Sequence, residues 1–245
     1  SILYISHKLE EIRALCETAT ILRGGKKVAT CDPRKKSARE LAEMMVGGTL
    51  NSAKAKKTTL GEVVLKVSEL SLPPQSAFGT SLKNIAFQLH EGEILGIGGV
   101  AGNGQDELLA CLSGEVKTTG DGIQFNGVSL GNMLPNVRRA LGVLAAPEER
   151  LGHAAAPDMS LTENAMLTAM TRQNLSKSGF LDWPRAKAFA EQVISQFDVR
   201  TPGPQSAAGS LSGGNLQKFV IGREVLQDPE VLIVNQPTWG VDAAA

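Results

Sequence analysis

Three short stretches of this chain carry groups that could hold or transfer a phosphate. The first is Leu211-Ser212-Gly213-Gly214-Asn215-Leu216-Gln217-Lys218, where a serine and two glycines open a helical pattern. Free amides at a helix N-terminus, backed by the helix dipole, suit an anion such as a γ-phosphate. The other reading of Ser212, Gly213 and Gly214 is a plain helix N-cap. The second stretch is Gly99-Val100-Ala101-Gly102-Asn103-Gly104-Gln105-Asp106. An intact phosphate loop reads G-x-x-x-x-G-K-[ST]: amides cradle the phosphates, the lysine neutralises them and the hydroxyl holds Mg²⁺. Here Gly99, Gly102, Asn103 and Gly104 keep the small, flexible character, but Gln105 replaces the cation and Asp106 the hydroxyl. An ionised Asp106 about 4 Å from a phosphate adds a repulsion of roughly 1–4 kcal/mol unless a metal bridges the two. A glycine-rich turn alone is also often only a turn.

The third stretch is the apolar run Val231-Leu232-Ile233-Val234, which ends in Asn235-Gln236-Pro237-Thr238. A phosphate-transfer enzyme would carry an aspartate there to ligate Mg²⁺ and a glutamate to polarise the attacking water. Asn235 occupies the metal position and Gln236 the catalytic one. Carboxylates bind hard cations far better than amides do, and a glutamine cannot accept a proton. The departures at Gln105, Asp106, Asn235 and Gln236 therefore point one way, toward a pocket that binds nucleotide without turning it over. Asp106 is the one carboxylate that could still meet a metal. The opposing reading is a degenerate loop and strand with no nucleotide role. His7 follows the run Ile2-Leu3-Tyr4-Ile5 and Ser6, so it could reach a γ-phosphate or a water from a strand end. A lone histidine has a structural reading as well. Gly240-Val241-Asp242 reads as a turn at an interface, with Asp242 alternatively a helix cap.

The elements that must position these groups follow from periodicity. Residues 2–5 read as a buried strand and Glu10 to Thr18 as a helix bearing Ile12 and Leu15. Ala19 to Leu22, Gly24-Gly25 and Lys27 to Thr30 read as a hairpin, followed by a helix near Ser37 to Val46 with Leu41, Met44 and Met45 on one side. Residues 49–62 are small, polar and basic and read as a linker between a unit at 1–48 and a larger domain at 63–245. Val63 to Leu70 and Ile85 to Leu89 read as strands. Glu93 to Gly98 reads as an apolar strand feeding the glycine loop, with Leu108, Leu109 and Leu112 on one face of the helix beyond it. Asn126-Gly127 marks a hairpin. Ser160 with Glu163 forms a capping box, and a further helix follows Pro184 with Phe189, Val193 and Phe197 on one side.

Bulk properties narrow the class. The chain has 245 residues with 42% hydrophobic and 20% charged content, so most of it can bury a core. Its 25 basic and 25 acidic side chains leave no net charge, which argues against a nucleic-acid footprint. Cys16, Cys31 and Cys111 lack metal-ligand spacing and fit a reducing compartment. No apolar run is long enough to span a bilayer and no secretory leader opens the chain, so any membrane role is expected to be peripheral. The opening at Ser1 in an apolar run and the close at Ala243-Ala244-Ala245 suggest a piece of a longer polypeptide.

Residues 4–12, 92–114, 147–150 and 211–242 together resemble the ATP-binding subunits of bacterial ATP-binding-cassette importers, in particular those with two fused cassettes that serve simple sugars and nucleosides. Ile5-Ser6-His7-Lys8-Leu9-Glu10-Glu11-Ile12 resembles the switch-histidine segment of a first cassette, and Met44-Met45-Val46-Gly47 that cassette's closing motif. Val63 onward resembles a second cassette. Ala101-Gly102-Asn103-Gly104-Gln105 and Gln236-Pro237-Thr238 are similar to the degenerate second cassette of nucleoside importers, whereas sugar importers more often keep Asp-Glu. The resemblance implies an α/β fold of the P-loop NTPase-like cassette type, with a mixed-sheet core, an antiparallel β subdomain and a helical insert, preceded by the C-terminal piece of another such domain. It implies ATP and Mg²⁺ as cofactors, the metal weak or absent at the degenerate site. It also implies permease subunits as partners, the first cassette of the same polypeptide, indirectly a solute-binding protein, and a peripheral place on the cytoplasmic face of a bacterial inner membrane.

In the same family Glu148, within Pro147-Glu148-Glu149-Arg150, stands where a glutamine loop senses nucleotide, and glutamate there departs from the pattern. Trp239 departs from the usual arginine, and Phe78 is the one candidate for stacking on adenine. Cassettes of this family pair head to tail, each ATP lying between one phosphate loop and the opposite signature. Ser212-Gly213-Gly214 and His7 would then both serve the first-cassette site, and the loop at 99–106 the other. Two other readings are a non-catalytic nucleotide-binding or scaffolding module, and a soluble cassette ATPase acting on ribosomes or DNA.

Overall fold

The computed structural model describes residues 1–6, 8–49, 59–76 and 79–238. The central part of the expected linker lies outside the described residues, as do His7, Phe78, Trp239 and Gly240-Val241-Asp242. The chain divides between Lys56 and Lys57 into two compact units.

In the smaller unit, helix α1 (Leu9–Leu15) precedes a hairpin of β1 (Ala19–Arg23) and β2 (Lys26–Cys31), antiparallel about Gly24-Gly25. Helix α2 (Ala38–Val46) closes the unit. The Ser37 side chain accepts from the Glu40 amide while Glu40 accepts from the Ser37 amide, a reciprocal cap that fixes where the helix starts. Ile21, Leu41 and Ala42 are buried at its centre. The expected strand over residues 2–5 does not form: Ile2, Leu3 and Ile5 are 93%, 88% and 88% exposed. A strand exists only by pairing its amides and carbonyls with a neighbour, and among the described residues β1 and β2 pair only with each other.

The larger unit begins with a four-stranded antiparallel sheet of order β4-β3-β5-β6, made from β3 (Val63–Leu72), β4 (Leu82–His90), β5 (Ile123–Phe125) and β6 (Val128–Ser129). Leu65 and Val67 point into the core on odd positions, Leu70 and Leu72 on even ones. An irregularity between Val67 and Leu70, with Glu69 at φ +49°, supplies the extra residue that resets the phase. Asn126 and Gly127 both take positive φ, the type I′ geometry that closes β5 on β6.

Helix α3 (Gln105–Ser113) buries Leu108, Cys111 and Leu112 against this sheet's cluster. After α4 (Pro135–Leu141), β7 (Val143–Ala146) runs parallel to β10 (Val231–Val234) in register Val143↔Val231 to Ala146↔Val234. Between them lies a helical group of α5 (Leu161–Ala169), α6 (Trp183–Gln196) and α7 (Gly213–Val225), with the short hairpin β8 (Ser176–Lys177) and β9 (Phe180–Leu181). Leu161, Phe189, Val193, Phe219 and Val220 form its core. Ser160 and Glu163 cap α5 reciprocally, and the Asp182 carboxylate accepts from the Arg185 amide at the start of α6.

The expected strand over Glu93 to Gly98 does not form either. Ile94 is 99% exposed and Ile97 54%. Among the described residues β10 pairs only with β7, and its far side opens into a cleft of about 1080 Å³ lined by Ile94, Leu95, Ile97, Leu108 and Leu232. Residues 93–98 border this strand-lined slot without joining a ladder.

Candidate functional site

The glycine loop turns at Val100 to Asn103, where the Asn103 amide donates to the Val100 carbonyl at 3.2 Å. Gly104 then enters α3 at φ +105°, a conformation that a side chain would strain, and a Cβ there would meet Leu82 Cδ2 at 2.9 Å. Two long-range bonds pin the loop: Thr80 Oγ1 donates to the Gly102 carbonyl at 2.7 Å, and the Thr80 amide donates to Glu107 Oε1 at 2.9 Å. Gln105 folds back over the loop. Its Oε1 accepts from the Asn103 amide at 3.0 Å and its Nε2 donates to the Val100 carbonyl at 3.0 Å.

The next residue faces the parallel strands. Asn235 Nδ2 donates to Asp106 Oδ1 at 3.0 Å, and the Asn235 amide extends the β7–β10 ladder to the Ala146 carbonyl. The two residues expected at the metal position are thus in direct contact, one carboxylate against one amide N–H₂. The pair offers a magnesium ion one carboxylate, already hydrogen-bonded, and a neutral amide in place of a hydroxyl and an aspartate, which is a weak donor set for that ion. Among the described residues no group of three His, Cys, Asp or Glu could hold a metal. Gln236 is exposed at φ +45° just beyond β10.

The signature stretch opens α7 on the surface, with Ser212 and Gly213 exposed. Ser212 is the N-cap residue of α7 by position, but its hydroxyl makes no cap hydrogen bond and accepts instead from Asn215 Nδ2 at 2.8 Å. Asn215 Oδ1 in turn accepts from the Arg200 amide. The first turn of α7 therefore keeps its N–H groups clear of the serine oxygen that would ordinarily satisfy one of them.

Behind that surface α7 is anchored along its length. Arg150 Nη1 donates to the Gly213 carbonyl at 3.1 Å. At the far end Glu224, fully buried, accepts from Arg223 and from Arg139, while Arg223 reaches the Asn164 and Ala154 carbonyls and Arg139 the Ala145 carbonyl on β7. Burial pushes the Glu224 carboxyl up, but the two guanidinium groups outweigh it and leave it below the usual carboxylate range. Burial holds Arg223 below its ordinary value.

Asp106, Asn235, Glu148, Arg150 and Gly213 line one groove of about 800 Å³, so the structure brings the loop's end, the strand's end, the 147–150 loop and the signature helix onto one surface. Gly99, Gly102, Ser212 and Gln236 do not line it. Sequence reasoning missed Thr80, Glu107, Asn215 and the Arg139–Glu224–Arg223 group as positioning residues. Adjacent opposite charges after the apolar Phe219-Val220-Ile221 were a readable sign of the last; Thr80 gives no local signal, since its partners lie more than 20 positions on.

The sequence profile described as ABC transporter matches residues 82–239, well over half of the chain. The chain belongs to the ABC transporter family. Its relatives include the nucleoside import ATP-binding protein NupA of Lactococcus lactis subsp. cremoris, 36% identical over all of this chain and 48% of that protein. The glucose import ATP-binding protein TsgD13 of Haloferax volcanii is 36% identical over all of this chain and 45% of its own length. The galactose/methyl galactoside import ATP-binding protein MglA of Escherichia coli K12 is also 36% identical, over 47% of its length. The chain therefore spans about half the length of these relatives. Solved cassettes share the fold: the dimeric MJ0796 bound to ADP and Pi aligns at a TM-score of 0.57 with 21% identity, covering 73% of this chain and 76% of that one. A nucleotide-free cassette aligns at 0.55 with 17% identity, covering 74% and 71%. The expected ABC cassette fold is thus present, with its antiparallel sheet, parallel strands and helical insert. Among the described residues no helix is long and apolar enough to cross a membrane.

Proposed function

We propose that this chain is part of the ATP-binding, energy-coupling subunit of an importer for nucleosides or simple sugars. Residues 1–48 are read as the end of a first cassette, 49–62 as a linker and 63–245 as most of a second. The second cassette's own pocket, with Gln105, Asp106, Asn235 and Gln236, does not fire, while Ser212, Gly213 and Gly214 complete the pocket whose phosphate loop belongs to the first cassette. His7 serves that same pocket. Hydrolysis of ATP there works on permease subunits at the cytoplasmic face of a bacterial inner membrane, and a solute-binding protein selects the cargo. Glu148 senses nucleotide from its loop.

The observation that carries this division is the contrast between Asp106 held by an asparagine amide and α7 opening without a serine cap. Relatives named for nucleoside and for sugar import support the transport class. The second reading, a module that binds nucleotide without catalysis, is favoured for the 99–106 loop taken alone, because its donor set is weak for magnesium and Gln236 cannot accept a proton. The test uses a polypeptide that joins this chain to an intact first cassette, assembled with its permease in vesicles. ATP-dependent uptake of labelled nucleoside or sugar is expected, and no uptake of either with ATP hydrolysis intact would remove the importer reading.

A further inference from the structure

We infer that Gln105 is an internal ligand of the glycine loop, whose carboxamide closes the loop and sets how tightly it takes a polyphosphate chain. The inference rests on reading residues 99–106 as a phosphate loop. A phosphate enters such a loop by accepting from its backbone amides. Here the Asn103 amide already donates to two oxygens, the Val100 carbonyl and Gln105 Oε1, and Gln105 Nε2 returns to the same Val100 carbonyl. One side chain therefore spans the loop, giving a hydrogen bond on one side and taking one on the other.

A carboxamide, with a donor and an acceptor on one planar group, suits this role. A lysine has donors and no acceptor, and an ionised glutamate has acceptors and no donor. The length matters as well, since asparagine would stop one methylene short of Val100. The side chain lies over the backbone it closes: a Cβ on Gly99 would sit 2.6 Å from Gln105 Nε2. The base of the bridge is held from both sides, because Asp106 is bonded to Asn235 and Glu107 to the Thr80 amide. A polyphosphate must break both glutamine bonds and displace the amide group before it reaches the loop.

Isothermal titration of the 245-residue chain with inorganic tripolyphosphate tests this. Gln105→Ala and Gln105→Asn are each expected to raise the affinity about tenfold, the combined effect of two neutral hydrogen bonds no longer competing. Gln105→Lys is expected to raise it further by adding a cation, and Gln105→Glu to lower it. All four changes fall at a half-buried first helical position, and a circular dichroism melt verifies the fold of each. Equal or weaker binding by Gln105→Ala and Gln105→Asn overturns the inference; if Gln105→Lys still binds more tightly than the parent chain, the phosphate-loop reading survives that result. Absence of binding by all five proteins at millimolar tripolyphosphate overturns both.

Discussion

The glycine loop and the start of α7 are two backbone-amide sites built on opposite terms. In the loop the Asn103 amide is taken up from within, by the Val100 carbonyl and Gln105, while Thr80 holds the Gly102 carbonyl and Asn235 holds Asp106 from outside. At the start of α7 the contacts turn sideways or backward: Ser212 takes Asn215, Arg150 takes the Gly213 carbonyl, and the Glu224 network grips the far end. A helix end becomes an anion site when its amides are left unsatisfied on a rigid element, and a loop loses that capacity when its own side chains satisfy them. The same family of residues, glycines with one polar side chain, gives opposite chemistry according to where the polar side chain finds its partner.

The sharpest way to break this contrast is to obstruct α7. In a polypeptide carrying an intact first cassette, Ser212→Arg is expected to cut ATP turnover about a hundredfold or more, the order seen when a preorganised donor site is lost. Unchanged steady-state hydrolysis would erase the distinction between the two regions. The anchoring of α7 predicts the next effect. Glu224→Ala strands Arg223 and Arg139 and should cost about 3–5 kcal/mol of stability in urea denaturation, whereas Gln105→Ala should cost about 1 kcal/mol or less. Comparable losses would mean that the loop is as firmly built in as the helix. Ser160→Ala removes the cap of α5, on which α7 packs, and should lower stability by about 1 kcal/mol.

The smallest expected effect lies outside both regions. Hydrogen bonds from the Ser37 amide, Lys36 and the Ser37 hydroxyl push the Glu40 carboxyl down to about 2 from an ordinary 4.5. A depressed folded value means that the contribution is complete above 4.5 and is lost as the pH falls toward 2. The ellipticity of α2 should therefore decline in that window, and Glu40→Gln should flatten the decline.

Legibility in the sequence followed the range of the interactions. Helices α2 and α5 begin where the sequence places them, at Ser37 and Ser160, because a cap bonds within three residues, whereas α6, expected after Pro184, starts at Trp183 under the cap of Asp182. The hairpin at Asn126-Gly127 was equally plain, since both residues accept the positive φ of the turn. Residues 2–5 and 93–98 have the apolar character of buried strands and form none. The substituted positions Gln105, Asp106 and Asn235 were identifiable from spacing, but not that Gln105 bends back or that Asp106 meets Asn235 across 129 positions.

The amino-acid sequence by itself determined the elements whose bonds close locally, together with which chemical groups stand at the phosphate-binding positions. Tertiary structure alone decided which runs become strands and which amides stay available to an anion. The reason is physical: a helix or a tight turn satisfies its backbone from neighbours along the chain, whereas a parallel strand or an anion cradle depends on what distant segments bring, or fail to bring, to its edge.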